Sequence, residues 1–230
     1  YDKEAYTRSL WVMEGVTSYY DRQVLRRAGL ITAKRYLERL AEEWGKLLAV
    51  PGRRRQSIEE SSFDAWVKLY RPDENTVNST ISYYLKGGLV SLCLDLEIRR
   101  RTAGRRGLDD AMVHLWHRFG QAGIGFSDDA IRGEIEHAVE LDLGDFFARV
   151  VVGREDPDLA GALAGCGLEL RASYTREPDA GAGNGEAELA WLGANLETEG
   201  GRLVVAAALD GGPAETGGLY AGDEVLSLAL

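Results

Sequence analysis

The sequence predicts a mainly α-helical protein that ends in a small β-rich part. Apolar residues recur at three- and four-residue spacing through most of residues 6–151, which is typical of amphipathic helices. Beyond Gly161 the composition shifts to glycine and alanine, with short alternating runs at 168–171 and 203–206 that predict strands. We therefore expect a helical domain over 1–156 and a second module over 157–230, with a flexible loop at 175–187.

The first helix is predicted from a stripe of apolar residues expected to face the core, and it should end near Gly29. That stripe comprises Tyr6, Leu10, Met13, Tyr20 and Val24. Glu14 lies on its rim, where a carboxylate must be ion-paired, bound to a cation or neutralised. An ordinary surface ion pair is the common fate of a helical glutamate.

Two further helices should follow. Thr32 can cap the first of them, which Pro51-Gly52 should break. The run 53–55 of three arginines predicts a solvated turn, with a basic patch that steers substrate as the alternative. Residues 57–69 predict the next helix, with Phe63, Trp66 and Leu69 inward, and the polar stretch 71–76 then suggests the wall of a cleft.

A buried helix should begin near Tyr83 and Tyr84, because Ile81, Leu85, Leu89, Leu92 and Leu96 follow helical spacing. Amphipathic helices are also expected over 108–119 and 127–141, the latter capped by Ser127 with two aspartates after it, and a short one over 144–151. His114 and His117 form a His-x-x-His pair. They suit either a metal site or, given their apolar neighbours, ordinary packing.

Residues 11–19 carry the pattern Trp-x-x-Glu-Gly-x-Thr-x-Tyr, which resembles the third-ligand helix of gluzincin zinc metallopeptidases and, most closely, the glycyl aminopeptidase family. That resemblance implies a thermolysin-like catalytic domain, of which residues 1–156 are the helical part. It makes Glu14 a zinc ligand. Zinc in such a site lowers the pKa of a water molecule to about 7 and polarises the scissile carbonyl.

The family's other zinc motif is missing from the 230 residues. His-Glu-x-x-His, which supplies two histidine ligands and the general base, does not occur, and the three histidines all lie downstream of Glu14. We therefore expect a fragment of a longer enzyme, with zinc in the intact protein and none bound to this chain. A single carboxylate cannot hold catalytic zinc, so the chain alone should be inactive.

A second motif, Tyr-x-Lys-Gly at residues 84–87, also resembles the gluzincin aminopeptidases. In that family its tyrosine donates a hydrogen bond to the oxyanion of the tetrahedral intermediate. The matching residue is Tyr84, with Tyr83 as the alternative because the tyrosine is doubled. An aromatic pair that merely opens a buried helix is the structural alternative.

Residues 211–226 resemble the core signature of a PDZ-like domain, with Pro213 starting a short helix and 221–223 turning into a strand over 224–228. Leu192, Gly193 and Ala194 match the loop and strand that receive a peptide terminus by strand addition. The chain ends before the second helix of such a domain, so the module is expected to be incomplete.

Net charge and cysteine content limit the classes of binding partner and the cellular compartments that fit this chain. A net charge of −10 disfavours nucleic acid and anionic membranes, and no apolar run has the roughly 20 residues of a membrane helix. Cys93 and Cys166 define no disulfide framework; they fit a reducing compartment or a disulfide-free periplasmic enzyme, and of these the cytoplasm is favoured. Peptide is the expected substrate, and apolar surface at the cut ends would favour a dimer.

Together these features predict part of a zinc aminopeptidase that removes N-terminal glycine or alanine by metal-activated water. The alternative is a non-catalytic helical scaffold with a PDZ-like peptide-binding module. If the enzyme prediction is correct, Glu14 and Tyr84 should face each other across a cleft open to solvent.

Overall fold

The computed structural model describes residues 2–172 and 191–227, so the expected loop at 175–187 and the end of the expected strand at 228 lie outside the described residues. The chain divides into two compact units, Tyr1–Leu168 and Glu169–Leu230. The first unit extends beyond residue 156, where we expected the boundary, because the helix Leu159–Ala164 packs against it. The prediction of a mainly α-helical chain is confirmed.

Nine α-helices are described in the first unit. They are α1 (Val16–Arg27), α2 (Ala33–Leu48), α3 (Ile58–Phe63), α4 (Thr76–Ser79), α5 (Leu85–Arg101), α6 (Leu108–Leu115), α7 (Ala130–Val139), α8 (Gly144–Phe146) and α9 (Leu159–Ala164). Three π-helical turns, Trp11–Gly15, Trp116–Gly120 and Phe147–Val151, adjoin α1, α6 and α8, and Pro51–Arg54 forms a 3₁₀ turn.

Helix α5 is the centre of the first unit. Eleven of its residues are buried, and they lie on all sides of the helix, as expected for a helix enclosed by its neighbours. Helices α1, α2, α6 and α9 and the Trp11–Gly15 turn pack against it, and Trp11 meets Phe147 edge to face at 5.9 Å. None of the described helices is both long and apolar enough to cross a membrane.

The first helix buries a different face from the one predicted. Tyr6, Met13 and Val24 are 50% or more exposed, whereas the buried side of the 11–27 segment consists of Trp11, Val12, Gly15, Val16, Tyr19 and Arg22. The reason is the glycine: Gly15 allows the helix to approach α5 closely, so the side that carries Gly15 becomes the buried side. The predicted end is confirmed, since α1 stops at Arg27 and Gly29 has a φ of +72°.

The next predicted elements are confirmed in part. Thr32 caps α2 by accepting a hydrogen bond from the Arg35 backbone N–H, and the helix ends before Pro51. Helix α3 is shorter than predicted: it ends at Phe63 and the chain continues in turns to residue 70. Phe63 and Trp66 are therefore 45% and 40% exposed rather than inward.

Arg53 does not lie in a solvated turn. Its side chain is buried, donates from Nε to Asp156 at 2.9 Å, and donates from a second nitrogen to the carbonyls of Leu48 and Val50. A buried guanidinium requires such partners, so this arginine joins the 51–54 turn to the segment before α9.

Helix α7 begins later than predicted, at Ala130, with Asp129 at the N-cap and no side-chain cap. Asp128 instead accepts hydrogen bonds from the hydroxyls of Thr7 and Ser9, both at 2.5 Å, and from the Arg8 backbone N–H at 2.9 Å. It therefore anchors the segment that leads into the Glu14 helix.

The second unit, considered by itself, contains a two-stranded antiparallel sheet. β1 (Ala194–Glu199) pairs with β2 (Arg202–Ala208), and α10 (Pro213–Thr216) follows. The strand expected at 203–206 and the helix begun by Pro213 are confirmed, and Gly222 makes the expected turn with a φ of +91°. Residues 168–171 form no strand, and the described residues after the turn, up to 227, form an isolated bridge between Val204 and Glu224 instead of the expected strand.

Candidate active site

The Glu14 helix and the Tyr84 segment meet at a glycine contact. A Cβ placed on Gly15 would lie 2.7 Å from the Cα of Gly87 and 3.0 Å from the carbonyl oxygen of Tyr83, and one on Gly88 would lie 3.3 Å from the Cβ of Ser18. The backbones therefore touch where the Glu-Gly motif crosses the Lys-Gly motif. This contact explains why each motif carries a glycine next to its polar residue.

The Glu14 carboxylate lies near enough to the Tyr84 phenol to make a small contribution to raising its pKa. Glu14 is half-buried, and among the described residues its side chain has no hydrogen bond or ion pair. The expectation that something compensates this carboxylate is therefore not met by any described side chain, which leaves the carboxylate available to a ligand.

Tyr84 belongs to a cluster of three tyrosines, which we call the tyrosine cluster: Tyr70, Tyr83 and Tyr84. The rings of Tyr83 and Tyr84 stack with centroids 4.6 Å apart. The Tyr70 hydroxyl lies 2.9 Å from the Tyr83 hydroxyl and 3.2 Å from the Tyr84 hydroxyl. Tyr83 is 1% exposed, whereas Tyr84 is half-buried.

The difference in exposure separates the two tyrosines that the sequence left as alternatives. A group that donates to a substrate oxygen must reach the open side of the protein. Tyr84 meets that requirement and Tyr83 is enclosed, so the geometry favours Tyr84.

The cluster also keeps the Tyr84 proton in place. Hydrogen bonding with Tyr70, partial burial and the nearby Glu14 charge together raise the pKa of Tyr84 to about 12. Burial and hydrogen bonds to Tyr70 and Tyr84 raise the pKa of Tyr83 as well. Both phenols consequently remain protonated donors throughout the neutral pH range.

Lys86, the third residue of the Tyr-x-Lys-Gly motif, has a structural role. It is fully buried, and its Nζ donates to the carbonyl oxygens of Arg53 at 3.1 Å and Arg154 at 3.3 Å, with Asp156 at 3.7 Å. Burial lowers its pKa, against the opposing effect of Asp156. The lysine thus fixes the first turn of α5, and with it Tyr84, to two neighbouring loops.

A buried polar network holds α1, α5 and α6 together behind the site. Asp95 is 3% exposed and accepts from the Tyr19 hydroxyl at 2.8 Å, the Arg99 Nε at 2.8 Å and the Leu108 backbone N–H at 2.6 Å. Hydrogen bonds from three elements to one buried carboxylate fix the relative orientation of the helices that carry Glu14 and Tyr84.

An apolar groove of about 460 Å³ runs along the Glu14 helix. Met13, Thr17 and Tyr20 line it together with residues from α6 and the 116–126 segment. Two members of the predicted core stripe, Met13 and Tyr20, thus line a surface groove.

The histidines do not form the pair that their spacing allowed. The Nε2 of His114 lies 2.6 Å from Glu134, and its ring contacts that of His137 at 5.2 Å between centroids, while His117 bonds to Gln121 at 2.9 Å. No group of three histidine, cysteine or acidic side chains within 2–172 and 191–227 is arranged to hold a metal ion.

In the second unit, the predicted peptide-binding residues lie in a loop that folds back on α10. The carbonyl of Leu192 accepts from the Ala214 N–H at 2.9 Å, and that of Gly193 accepts from the Leu209 N–H at 2.8 Å. Ala194 begins β1, opposite Ala208. Their role in binding peptide stays a prediction.

Sequence reasoning missed Tyr70. It comes just before the polar stretch that we expected to form a cleft wall, but no local motif marks it. Its place beside Tyr83 and Tyr84 arises only when the turns after α3 bring it to the start of α5.

Comparison with known proteins agrees with the peptidase prediction at a coarse level. Residues 1–90, which contain both Glu14 and Tyr84, match the sequence model of the M61 glycyl aminopeptidases. The chain is also similar to the crystal structure of an aminopeptidase N family protein from Idiomarina loihiensis, with 33% identity and a TM-score of 0.86.

That similarity covers 98% of this chain but 39% of the Idiomarina protein, so the chain spans well under half of that protein's length. No curated protein matches the chain. The chain is therefore similar to part of a peptidase of the aminopeptidase type. The similarity is in sequence over residues 1–90 and in structure over nearly all residues of the chain.

Proposed function

We propose that this chain provides one side of the active site of a zinc-dependent aminopeptidase that releases N-terminal glycine or alanine from peptides. The observation that supports the proposal is the close contact of the two motifs at Gly15 and Gly87, with the Glu14 carboxylate near enough to Tyr84 to affect its pKa. The match of residues 1–90 to the glycyl aminopeptidases supports the same assignment.

Glu14 would be the chain's zinc ligand. An unpaired, half-buried carboxylate suits a cation, which removes the electrostatic penalty of its partial burial. Two histidines and a general base would have to come from residues outside these 230. When bound, zinc supplies a nucleophilic water at neutral pH and polarises the substrate carbonyl.

Tyr84 would act on the other side of the substrate carbonyl. Its phenol remains protonated because its pKa is about 12, and it can donate a hydrogen bond to the oxygen on which negative charge develops. Donors of this kind contribute roughly 2.7 to 4 kcal/mol to lowering the barrier. Lys86 and the glycine contact hold that donor in position.

The experiment compares this chain with a version extended upstream of Tyr1 by the residues that its gene encodes. Hydrolysis of glycine and alanine reporters and zinc content by elemental analysis are measured for both. We expect activity and one zinc per chain in the extended protein only.

In the extended protein, Glu14→Gln should remove both zinc and activity. Tyr84→Phe should keep zinc and lower kcat by about 10²- to 10³-fold. Glu42→Gln, at a helix carboxylate that is 57% exposed, is the matched control and should change neither. Zinc binding that survives Glu14→Gln would refute the ligand assignment.

The scaffold alternative predicts a different outcome. An extended protein that binds no zinc, hydrolyses no reporter and still retains peptides through residues 191–227 would replace the enzyme proposal.

A further inference from the structure

Tyr70 contacts the hydroxyl group that the proposed chemistry uses, although it lies outside both motifs. Its own hydroxyl is within hydrogen-bond distance of both other members of the tyrosine cluster, at 2.9 Å from Tyr83 and 3.2 Å from Tyr84. Tyr70 therefore connects an enclosed phenol to the half-buried one that is open to a substrate.

The backbone around Tyr70 holds its ring in place. The Tyr70 N–H donates to the carbonyl of Ala65 at 3.0 Å, and Ala65 is completely buried. The ring packs against Trp66 with centroids 5.6 Å apart, and the Trp66 indole donates to the carbonyl of Ala5 at 3.2 Å. A side chain that is 51% exposed is thus restrained at both its backbone and its ring.

Tyr84 needs such a restraint. Stacking on Tyr83 fixes the plane of its ring but leaves the O–H bond free to rotate about the C–O bond. A hydrogen bond to Tyr70 restricts that rotation and limits movement of the ring. Catalytic donors are most effective when their orientation is set before the charge develops.

We propose that Tyr70 is a positioning residue that holds the Tyr84 oxygen at the substrate side of the site. It accepts the Tyr84 proton in the free chain and donates to the Tyr84 oxygen once that proton turns to the substrate. The inference rests on the proposed function in assigning chemistry to Tyr84. The link between the two hydroxyls can be measured without any catalysis, so the two ideas can fail separately.

The first experiment uses the chain itself. Tyrosine labelled with ¹³C at Cζ is titrated by NMR between pH 8 and the alkaline limit of folding, and the Tyr84 signal is assigned by its loss in Tyr84→Phe. We expect Tyr70→Phe to lower the pKa of Tyr84 by roughly half to one unit, because the hydrogen bond that raises it is lost.

Tyr6→Phe is the matched control. Tyr6 is also 51% exposed and also packs on an aromatic ring at 5.6 Å, but its hydroxyl has no described partner. It should leave the pKa of Tyr84 unchanged. An unchanged pKa in Tyr70→Phe, with its folding verified by circular dichroism, would overturn the inference.

The second experiment measures kcat and KM in the extended protein. Tyr70→Phe should lower kcat about threefold to tenfold with little change in KM, the expected effect of losing one hydrogen bond that matters in the transition state. Tyr6→Phe should match the unmodified protein in both constants.

The double variant distinguishes positioning from an independent effect. If Tyr70 acts only through Tyr84, Tyr70→Phe should have no further effect once Tyr84 is phenylalanine. Additive losses would refute the positioning role. A Tyr84→Phe variant with unchanged kcat would instead refute the oxyanion role in the proposed function, whatever the NMR titration shows.

Discussion

Replacing Gly15 with alanine tests the contact that brings the candidate site together. The added Cβ would lie 2.7 Å from the Cα and 2.8 Å from the carbonyl carbon of Gly87, whereas non-bonded carbons prefer about 3.5 to 4.0 Å. Both atoms are backbone, so no side-chain rotation can relieve the overlap. Helices α1 and α5 would have to separate by about 1 Å.

The magnitude follows from two opposing contributions. Overpacking of this kind destabilises a protein by about 1 to 3 kcal/mol. Alanine in place of a helical glycine recovers up to about 1 kcal/mol through higher helix propensity. We therefore expect Gly15→Ala to lower the free energy of unfolding by about 1 to 2 kcal/mol.

Gly45→Ala provides the matched control. Gly45 is an exposed glycine inside α2, and a Cβ there would meet nothing within 4 Å. It should therefore gain the propensity without the overlap and stabilise the protein by up to about 1 kcal/mol. The two variants should differ by about 1 to 3 kcal/mol, or roughly 2 to 12 °C in Tm.

The assay is denaturant and thermal unfolding followed by far-ultraviolet circular dichroism, which reports mainly on the helices of residues 2–168. The reciprocal change, Gly87→Ala, should act in the same direction but less strongly, because its Cβ would lie 3.0 Å from the Cα of Gly15. Equal or greater stability of Gly15→Ala relative to Gly45→Ala would refute the close crossing of the two motifs.

Three further predictions concern the residues around the site. Lys86→Met should destabilise the chain by about 1 to 3 kcal/mol in a denaturant titration, because two carbonyls lose their buried donor. Lys68→Met is the control: the partner of Lys68, Asp64, is 2.8 Å away on the surface, so this change should alter stability by less than about 1 kcal/mol. Burial raises the pKa of Tyr19 and Tyr83, so above pH 10.0 the unfolded chain releases protons that the folded chain retains. The free energy of unfolding should therefore fall as pH rises through this range. Tyr19→Phe should make this fall with pH less steep. Burial lowers the pKa of Lys86 below its ordinary 10.5, so just below that pH the unfolded chain binds more protons than the folded chain. Lys86 should therefore make the free energy of unfolding rise as pH approaches 10.5. This rise should be absent from Lys86→Met.

The two motifs identified the candidate residues before their environment was known. Glu14 was recognisable because its glycine, tryptophan and threonine neighbours match a specific pattern, and Tyr84 because lysine and glycine follow it at fixed spacing. The sequence could not distinguish Tyr83 from Tyr84, because two adjacent tyrosines differ only in how deeply the fold buries them. Burial of Tyr83 depends on the turns after α3 and on α5, which are distant in sequence.

The inner face predicted for the first helix was wrong for a similar reason. Apolar spacing identified the helix but assigned its inner face to Met13 and Val24, because the spacing of apolar side chains does not show where a glycine permits close backbone contact. Close backbone approach at Gly15 determined the buried side instead. Asp128 illustrates the limit for polar residues: its local pattern predicted a helix start, yet its hydrogen bonds go to Thr7, Arg8 and Ser9.

The sequence by itself determined the mainly helical class, several helix ends, the strand at 203–206, and the two polar residues of the candidate site, because each depends on local spacing or on a short motif. Only the tertiary structure decided that the motifs of Glu14 and Tyr84 meet at a glycine contact, that Lys86 and Arg53 are buried, and that Tyr70 completes the tyrosine cluster. Each of these depends on which distant segments pack against α5, and no local pattern encodes that choice.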